Sequence, residues 1–419
     1  MKPTRLITMA LLATAAFAVA GLTACSGSPD IVTTVVPPAA KESALTIALK
    51  PVDTRAAATG ITTDGENTIN RVAVGIFDSE GNVKMVKTFE SDKITSGESG
   101  DIKSGTVTLT TTTALATTDH VLVACNAPAD KFKGAIANED AFRAETITTD
   151  EALYGASTHT TPDAVDFTNL PMFGYVEALT QSSDDGTKFT AAVSVYHLVA
   201  KITLVSFTLD RQGAMADASF DPEGIFLAHV PDKLDFQNVT AVAATDSKVA
   251  EASYFVDGKS VSYNSYYHGD MTNASTTGFL GKAYLGMDAA TKDNAKTLAG
   301  LVAYTMPNSQ TDDANATFLV VKGKFHYKKS GDEGTEVWYP LYINYSTPTD
   351  DKHVGHVGDE KKVYPNFNYK MKVTVQGFGE KPAYDKNGNP VITPLVPRTV
   401  AVTVTPQGFV DAPSVVTLN

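Results

Sequence analysis

Val193-Ser-Val-Tyr-His-Leu-Val-Ala-Lys-Ile-Thr-Leu-Val-Ser-Phe-Thr-Leu209 alternates apolar and polar residues for longer than one ordinary strand. A period of two sends successive side chains to opposite faces of a sheet, so the stretch reads as strand rather than helix. Val193, Val195 and Leu198 serve one core, and Ile202, Leu204 and Phe207 begin a second. Two consecutive strands therefore belong to two different cores. The reading places a domain boundary near residue 200, between domains at 56–200 and 201–405.

The flanking sequence has the same character. Upstream, Arg71-Val-Ala-Val-Gly-Ile-Phe77 is a buried strand, Asp78 to Asn82 a turn, and Val83 to Phe89 its hairpin partner. Residues 106–110, 120–125, 172–176 and 190–195 keep the strand spacing. Phe132, Ile136, Phe142 and Leu153 lie in a segment that loses it, read as one or two short helices crossing the first sandwich. Downstream, residues 225–230, 301–306, 318–327, 337–345, 369–375 and 399–405 are short strands bounded by Gly, Pro, Asn or Asp. Residues 379–397, rich in Pro and Gly, read as a long loop. Many short strands without a long amphipathic helix predict an all-β chain of two sandwiches in tandem.

The N-terminal end carries a different message. Lys2 and Arg5 precede an apolar run from Leu6 to Leu22, and Leu22-Thr23-Ala24-Cys25 closes it. A positive start, a short apolar stretch and small residues before the cut make residues 1–24 an export signal. The cysteine at that boundary makes a lipobox, with Cys25 the acylated residue; several acyl chains anchor a protein where one does not. Residues 26–42, with Pro37-Pro38, read as an extended tether. Ala44-Leu-Thr-Ile-Ala-Leu-Lys50 then puts Leu45, Ile47 and Leu49 on one face of a strand that Pro51 ends. Arg55 follows among small residues, in a loop open to an arginine-specific protease cutting between Arg55 and Ala56.

Composition narrows the function. The formal charge is −13, and it becomes −15 without residues 1–55, which hold five basic residues (Lys2, Arg5, Lys41, Lys50, Arg55) and three acidic ones (Asp30, Glu42, Asp53). Such acidity argues against a nucleic-acid partner. With Cys25 in the lipobox, Cys125 has no intramolecular partner and reads as a buried strand residue. Gly-x-Ser-x-Gly, Walker-type and paired-Cys motifs are absent, so no enzyme and no cofactor is expected, a glycosidase being the weakest option for want of a carboxylate pair. His353-Val-Gly-His356 does not aim both rings at one point and is no metal pair. Asp184-Asp185-Gly186 is turn chemistry, and Thr311-Asp312-Asp313 lacks EF-hand spacing. A competing reading is a lipoprotein that binds glycans or host proteins without polymerising, through Tyr263, Tyr266, Tyr267 and His268.

Five features together resemble the Bacteroidales fimbrillins, the subunits of type V pili. They are the lipobox 22–25, the strand 44–49 followed by Arg55, the strand 71–77, and the inter-domain Tyr196-His-Leu-Val-Ala-Lys-Ile202. The fifth is Trp338-Tyr-Pro-Leu-Tyr-Ile-Asn344, followed by Tyr364-Pro-Asn-Phe-Asn-Tyr-Lys-Met-Lys-Val373. The resemblance implies two transthyretin-like β-sandwiches, export as an outer-membrane lipoprotein, and cleavage by a gingipain-type protease. It also implies that the cut removes the first strand and that a neighbour's C-terminal strand refills the groove. Carried over, Cys25 is the lipidation residue, Arg55 and Ala56 flank the cut, and Leu45, Ile47 and Leu49 form the removable plug. The tail 406–419 supplies a candidate donor through Phe409, Val415, Val416 and Leu418, and Pro406, Gly408 and Pro413 keep it from folding back well on its own domain. Residues 399–405, with Val400, Val402 and Val404, are the alternative donor or its hairpin partner. The expected partners are identical subunits in a homo-polymer, related anchor and tip subunits, and the protease. Both ends are kept, which favours a stalk subunit of a surface fimbria.

Overall fold

The structure, a computed structural model, describes residues 42–51, 65–99, 102–154, 167–210, 213, 216–231, 233–236, 268–270, 279–280, 301–309, 311, 316–327, 331–345, 361–384, 390–391 and 400–408. The first half is built from β1 (Ser43–Pro51), β2 (Arg71–Phe77), β3 (Val83–Glu90), β4 (Thr95–Ser99), β5 (Ile102–Thr111), β6 (His120–Cys125), β7 (Thr146–Thr148), β8 (Met172–Val176), β9 (Thr180–Gln181) and β10 (Lys188–His197). Except for β7, these strands form one ladder in the order β3-β2-β6-β8-β10-β1-β5-β4, with β9 also on β10. The ladder turns a corner within β10. Residues 188–195 pair with β1, whereas Tyr196 and His197 pair with β8. The two leaves so formed enclose one core, with Leu45, Ile47, Val107, Leu109 and Val193 from one leaf and Val72, Val74, Val121 and Val123 from the other.

β2 and β6 are buried on both faces, which explains why they read as continuous apolar runs. Their second faces, through Ala73, Phe77, Leu122 and Ala124, meet α1 (Glu139–Arg143) and α2 (Thr149–Tyr154). Asn138 caps α1, its side-chain oxygen accepting from the Ala141 N–H at 2.8 Å. Glu139 then accepts from Arg143 and contacts His120 Nδ1 at 2.8 Å, which ties the helix to β6. The expected helical segment is thus present. Phe142 and Leu153 lie on the helices, while Phe132 and Ile136 reach the same core from outside them.

The second half comprises β11 (Ala200–Leu209), β12 (Ser219–Ala228), β13 (Lys233–Asp235), β14 (His268–Asp270), β15 (Phe279–Leu280), β16 (Leu301–Thr305), β17 (Phe318–His326), β18 (Thr335–Tyr342), β19 (Phe367–Val375), β20 (Ala383–Tyr384), β21 (Pro390–Val391) and β22 (Val400–Gly408). One sheet runs β15-β16-β11-β19-β22 and the other β14-β12-β17-β18. Between them pack Leu204, Phe207, Phe220, Val321, Tyr339 and Val373, with Phe220 and Tyr339 edge to face at 5.2 Å. The expected all-β class, two sandwiches with short helices in the first, is what forms. Each half opens with a strand in the same place: β1 lies parallel to β10 and antiparallel to β5, as β11 lies parallel to β19 and antiparallel to β16.

Three local expectations need correction. Pairing of the first strand does not stop before Pro51, which lies opposite Val195. Pairing with β5 has already ended at Leu49, so the missing proline N–H interrupts no ladder there. The loop at 379–397 contains the β20–β21 hairpin, and Glu380 exchanges both backbone hydrogen bonds with Trp338 at 2.8 Å. Residues 406–408 do not resist folding back on their own domain: β22 continues through Pro406 to Gly408 along β19. As the edge strand of its sheet among the described residues it has one unpaired side, where a proline is compatible.

Candidate assembly site

β1 is the first described strand of the chain, and it is interior to the sheet. It runs parallel to β10 from Ala44–Lys188 to Pro51–Val195 and antiparallel to β5 from Ser43–Thr111 to Leu49–Gly105. Its backbone is therefore bonded on both sides, and Ala44 N–H also donates to Thr187 O at 2.9 Å. Leu45 and Ile47 are 0% exposed and Leu49 is 1% exposed. Burying three such side chains contributes roughly 5–9 kcal/mol before ordering costs. Thr46, Ala48 and Lys50 form the outer face.

Small residues in the neighbours make room for this strand. Ile47 lies between Ala191 and Val107, and Leu49 between Val193 and Gly105. A Cβ at Gly105 would stand 2.9 Å from Ile94 Cγ2 and 3.9 Å from Leu49 Cδ1, so the glycine lets both side chains pack over β5. Without β1, the facing edges of β5 and β10 would both be open, above a floor of Val72, Val74, Val121 and Val123. Unpaired edges of this kind are templates for another strand.

After Pro51 the next described element is the turn Gly65–Thr68, closed by Thr68 N–H to Gly65 O at 2.9 Å. This turn is held independently of β1. Glu66 accepts from Lys201 Nζ and Tyr304 Oη, and Asn67 Oδ1 meets His197 Nε2 at 3.1 Å. Burial, opposed by Glu66, lowers the His197 pKa to about 4 and keeps the ring neutral at physiological pH. Asn126 Nδ2 donates to Thr68 O at 2.8 Å, and Asn70 Nδ2 donates to Asn169 Oδ1 at 2.8 Å. Pro51 pairs with Val195, two residues from His197. Pro51 and the turn at 65–68 therefore lie at the same end of the first sandwich, the turn tied to the second half and Pro51 closing β1.

Leu45, Ile47 and Leu49 are thus brought together in one buried row. Cys25, Arg55, Ala56, Phe409, Val415, Val416 and Leu418 lie outside the described residues, as do His353, His356, Tyr263, Tyr266, Tyr267, Asp312 and Asp313. His268 opens β14, opposite Phe226. Asp185 accepts from the Thr187 hydroxyl at 2.6 Å and its N–H at 3.0 Å, bonds that hold its carboxyl down to about 2. Cys125 is fully buried on β6, and burial pushes its thiol pKa well up. Among the described residues no group of three or more His, Cys, Asp and Glu is arranged to hold a metal ion. Sequence reasoning missed Glu66 and Gly105. Gly105, inside the strand 102–111, carried the only available signal, because a strand glycine marks a close approach.

Residues 43–215 match the family model of the major fimbrial subunit protein FimA, a match that begins at the first residue of β1. A fimbrilin of Porphyromonas gingivalis W83 is 16% identical and superposes with a TM-score of 0.52, over 88% of this chain and 98% of its own. A candidate cell adhesion protein of Parabacteroides distasonis ATCC 8503 is also 16% identical, with a TM-score of 0.55 over 87% of this chain and 97% of its own. At these identities the two structures show a shared fold. No curated protein matches the sequence. The resemblance read from the sequence is thereby shown: residues 43–215 match the FimA family of major fimbrial subunits.

Proposed function

We propose that the chain is a structural subunit of a surface fimbria, exported as a lipoprotein on Cys25 and cut between Arg55 and Ala56. Its first strand then leaves, and a C-terminal strand from another copy takes its place. The observation that carries this reading is the seat of β1: an N-terminal strand, interior to the sheet, continues into the segment that holds Arg55. The match of residues 43–215 to the FimA family model supports the fimbrial structural role. On this reading residues 25–55 are a propeptide, and the mature chain divides near residue 200 into its two sandwiches. Identical subunits, related anchor and tip subunits and an arginine-specific protease are its partners, and the outer membrane holds the lipidated precursor.

The order of events follows from what anchors each side of the cut. Downstream, Glu66, Asn67, Asn70 and Asn126 hold the turn at 65–68 that leads into β2. Upstream, among the described residues, β1 is the attachment, so its release is an all-or-none loss of one strand. A tail donated to the next subunit makes a head-to-tail contact that does not close on itself, and such contacts give filaments. Fimbriae sheared from cells should carry Ala56 as their N-terminus by mass spectrometry, and an Arg55→Ala chain should stay uncut and unassembled. Fibres formed by Arg55→Ala as readily as by the wild type would contradict the reading.

A further inference from the structure

We propose that residues 233–236 are a strap by which the second half completes the core of the first, so that the two sandwiches fold and unfold as one unit. The inference does not depend on removal of β1. β13 begins five residues after the end of β12 in the second half, yet it pairs with β7 of the first: Lys233 with Thr148, Leu234 with Ile147 and Asp235 with Thr146. Among the described residues neither strand has another neighbour in its sheet. Two such short strands do not hold together by backbone pairing alone. The side chains they carry must supply the reason for the contact.

Those side chains complete a layer that the first half leaves unfinished. Leu234, Phe236 and Ile147 are all buried. The Phe236 ring stands 5.2 Å from Phe132 and 6.4 Å from Phe173, and Phe132 in turn is 4.4 Å from Phe142. Phe132, Phe142 and Phe173 come from the first half, and Phe236 comes from the second. The Phe236 N–H donates to Arg143 O at 3.0 Å. Arg143 is the last residue of α1, and the final carbonyls of a helix have no partner inside it. The strap therefore caps α1 as well as packing beside it. This layer lies on the second face of β2, β6 and β8, whose first face lines the core around β1.

The second half fixes the strap at its root. His229, directly after β12, has a φ of 57°, in the left-handed region that residues other than glycine seldom enter. Such a backbone persists where its surroundings hold it. Its carbonyl accepts from the Thr317 hydroxyl at 2.9 Å and from Asn308 Nδ2 at 3.2 Å, and its Nδ1 meets Ala316 O at 3.0 Å. The junction between the halves leaves no room for a hinge either. Only Leu198 and Val199, both buried, separate β10 from β11. Asn366 clasps them, accepting from His197 N–H at 3.2 Å and donating its N–H to Val199 O at 2.9 Å. Boundaries that flex run through exposed linkers crossed by few contacts. Here one apolar core runs through the boundary, from Phe77 and Phe173 to Phe220 and Tyr339.

The chain carries a reporter in each half. Trp338, its one tryptophan, is on β18, and Cys125 on β6 is the one thiol left in a Cys25→Ser chain. Urea unfolding of the full-length Cys25→Ser chain, followed by Trp338 fluorescence and by pulse labelling of Cys125, should give coincident midpoints. Separate midpoints in that chain would overturn the proposal. Phe236→Ala, added to it, should uncouple the halves, with Cys125 becoming reactive about 1 M urea below the Trp338 transition. Phe189→Ala removes the same volume from the other core of the first half, away from the strap, and should lower both midpoints together. Coincident midpoints in Phe236→Ala, or an equal split in Phe189→Ala, would show that residue 236 is no strap. Should Phe236→Ala fail to fold, Phe236→Leu carries the same comparison: a smaller split is expected, and none would overturn the proposal.

Discussion

An Ile47→Ala precursor is expected to lose about 2–5 kcal/mol of stability, whereas the processed subunit bearing the same substitution should be indistinguishable from wild type. Ile47 is fully buried at the centre of β1, between Ala191 and Val107, in the core between the two leaves. Truncation leaves a cavity that small neighbours cannot collapse to fill, which puts the loss toward the upper part of the range. On the proposed function, residue 47 leaves the molecule with β1 after the cut. Urea midpoints of the uncut and cut proteins measure the difference. Equal destabilisation of both forms would mean that β1 stays in place after proteolysis.

Gly174→Ala should have the opposite signature, with a loss of about 3 kcal/mol in precursor and processed subunit alike. Gly174 lies on β8 where that strand meets the corner of β10. A Cβ there would stand 2.1 Å from Ser194 O and 2.9 Å from Val193 Cγ1. The obstacle is backbone, which cannot rotate away, so β10 must shift bodily. β10 is also one wall of the seat, opposite Leu49 and Lys50 at this level. Thermal unfolding of both forms checks the stability loss, and ladder formation should slow as well, because the seat loses its register. Wild-type stability in the Gly174→Ala protein would show that β8 and β10 are less tightly joined at the corner than the geometry requires.

The two substitutions also mark how far the fold was legible in the sequence. β1, β10 and β11 are plain in the alternation of Leu45, Ile47 and Leu49 and of residues 193–209, because half-buried strands expose every second side chain to water. The helices were visible only as a lapse in that pattern at residues 130–153. What the alternation does not contain is the partner. That β1 lies between Gly105 and Val193, far from each other along the chain, is a tertiary fact whose one local signature is a glycine inside a strand. The same holds for Glu66. In sequence it is one acid after Asp64-Gly65, ordinary turn material. In the structure it is the acceptor for Lys201 and Tyr304, binding the start of β2 to the second half.

The extent of β22 was misread for a related reason. Pro406 and Gly408 weaken a central strand, but β22 is at an edge, and edge position is decided by topology rather than composition. The proposed lipidation and cleavage residues, Cys25 and Arg55, rest on sequence pattern alone.

The account depends on a strand that can be removed and replaced. The most direct measurement compares the full-length protein with the protein cut after Arg55 on a denaturing gel run without boiling. A ladder of multimers from the cut protein only, with monomer from the uncut protein, is the predicted result. Monomers from both, or equal ladders from both, would contradict it.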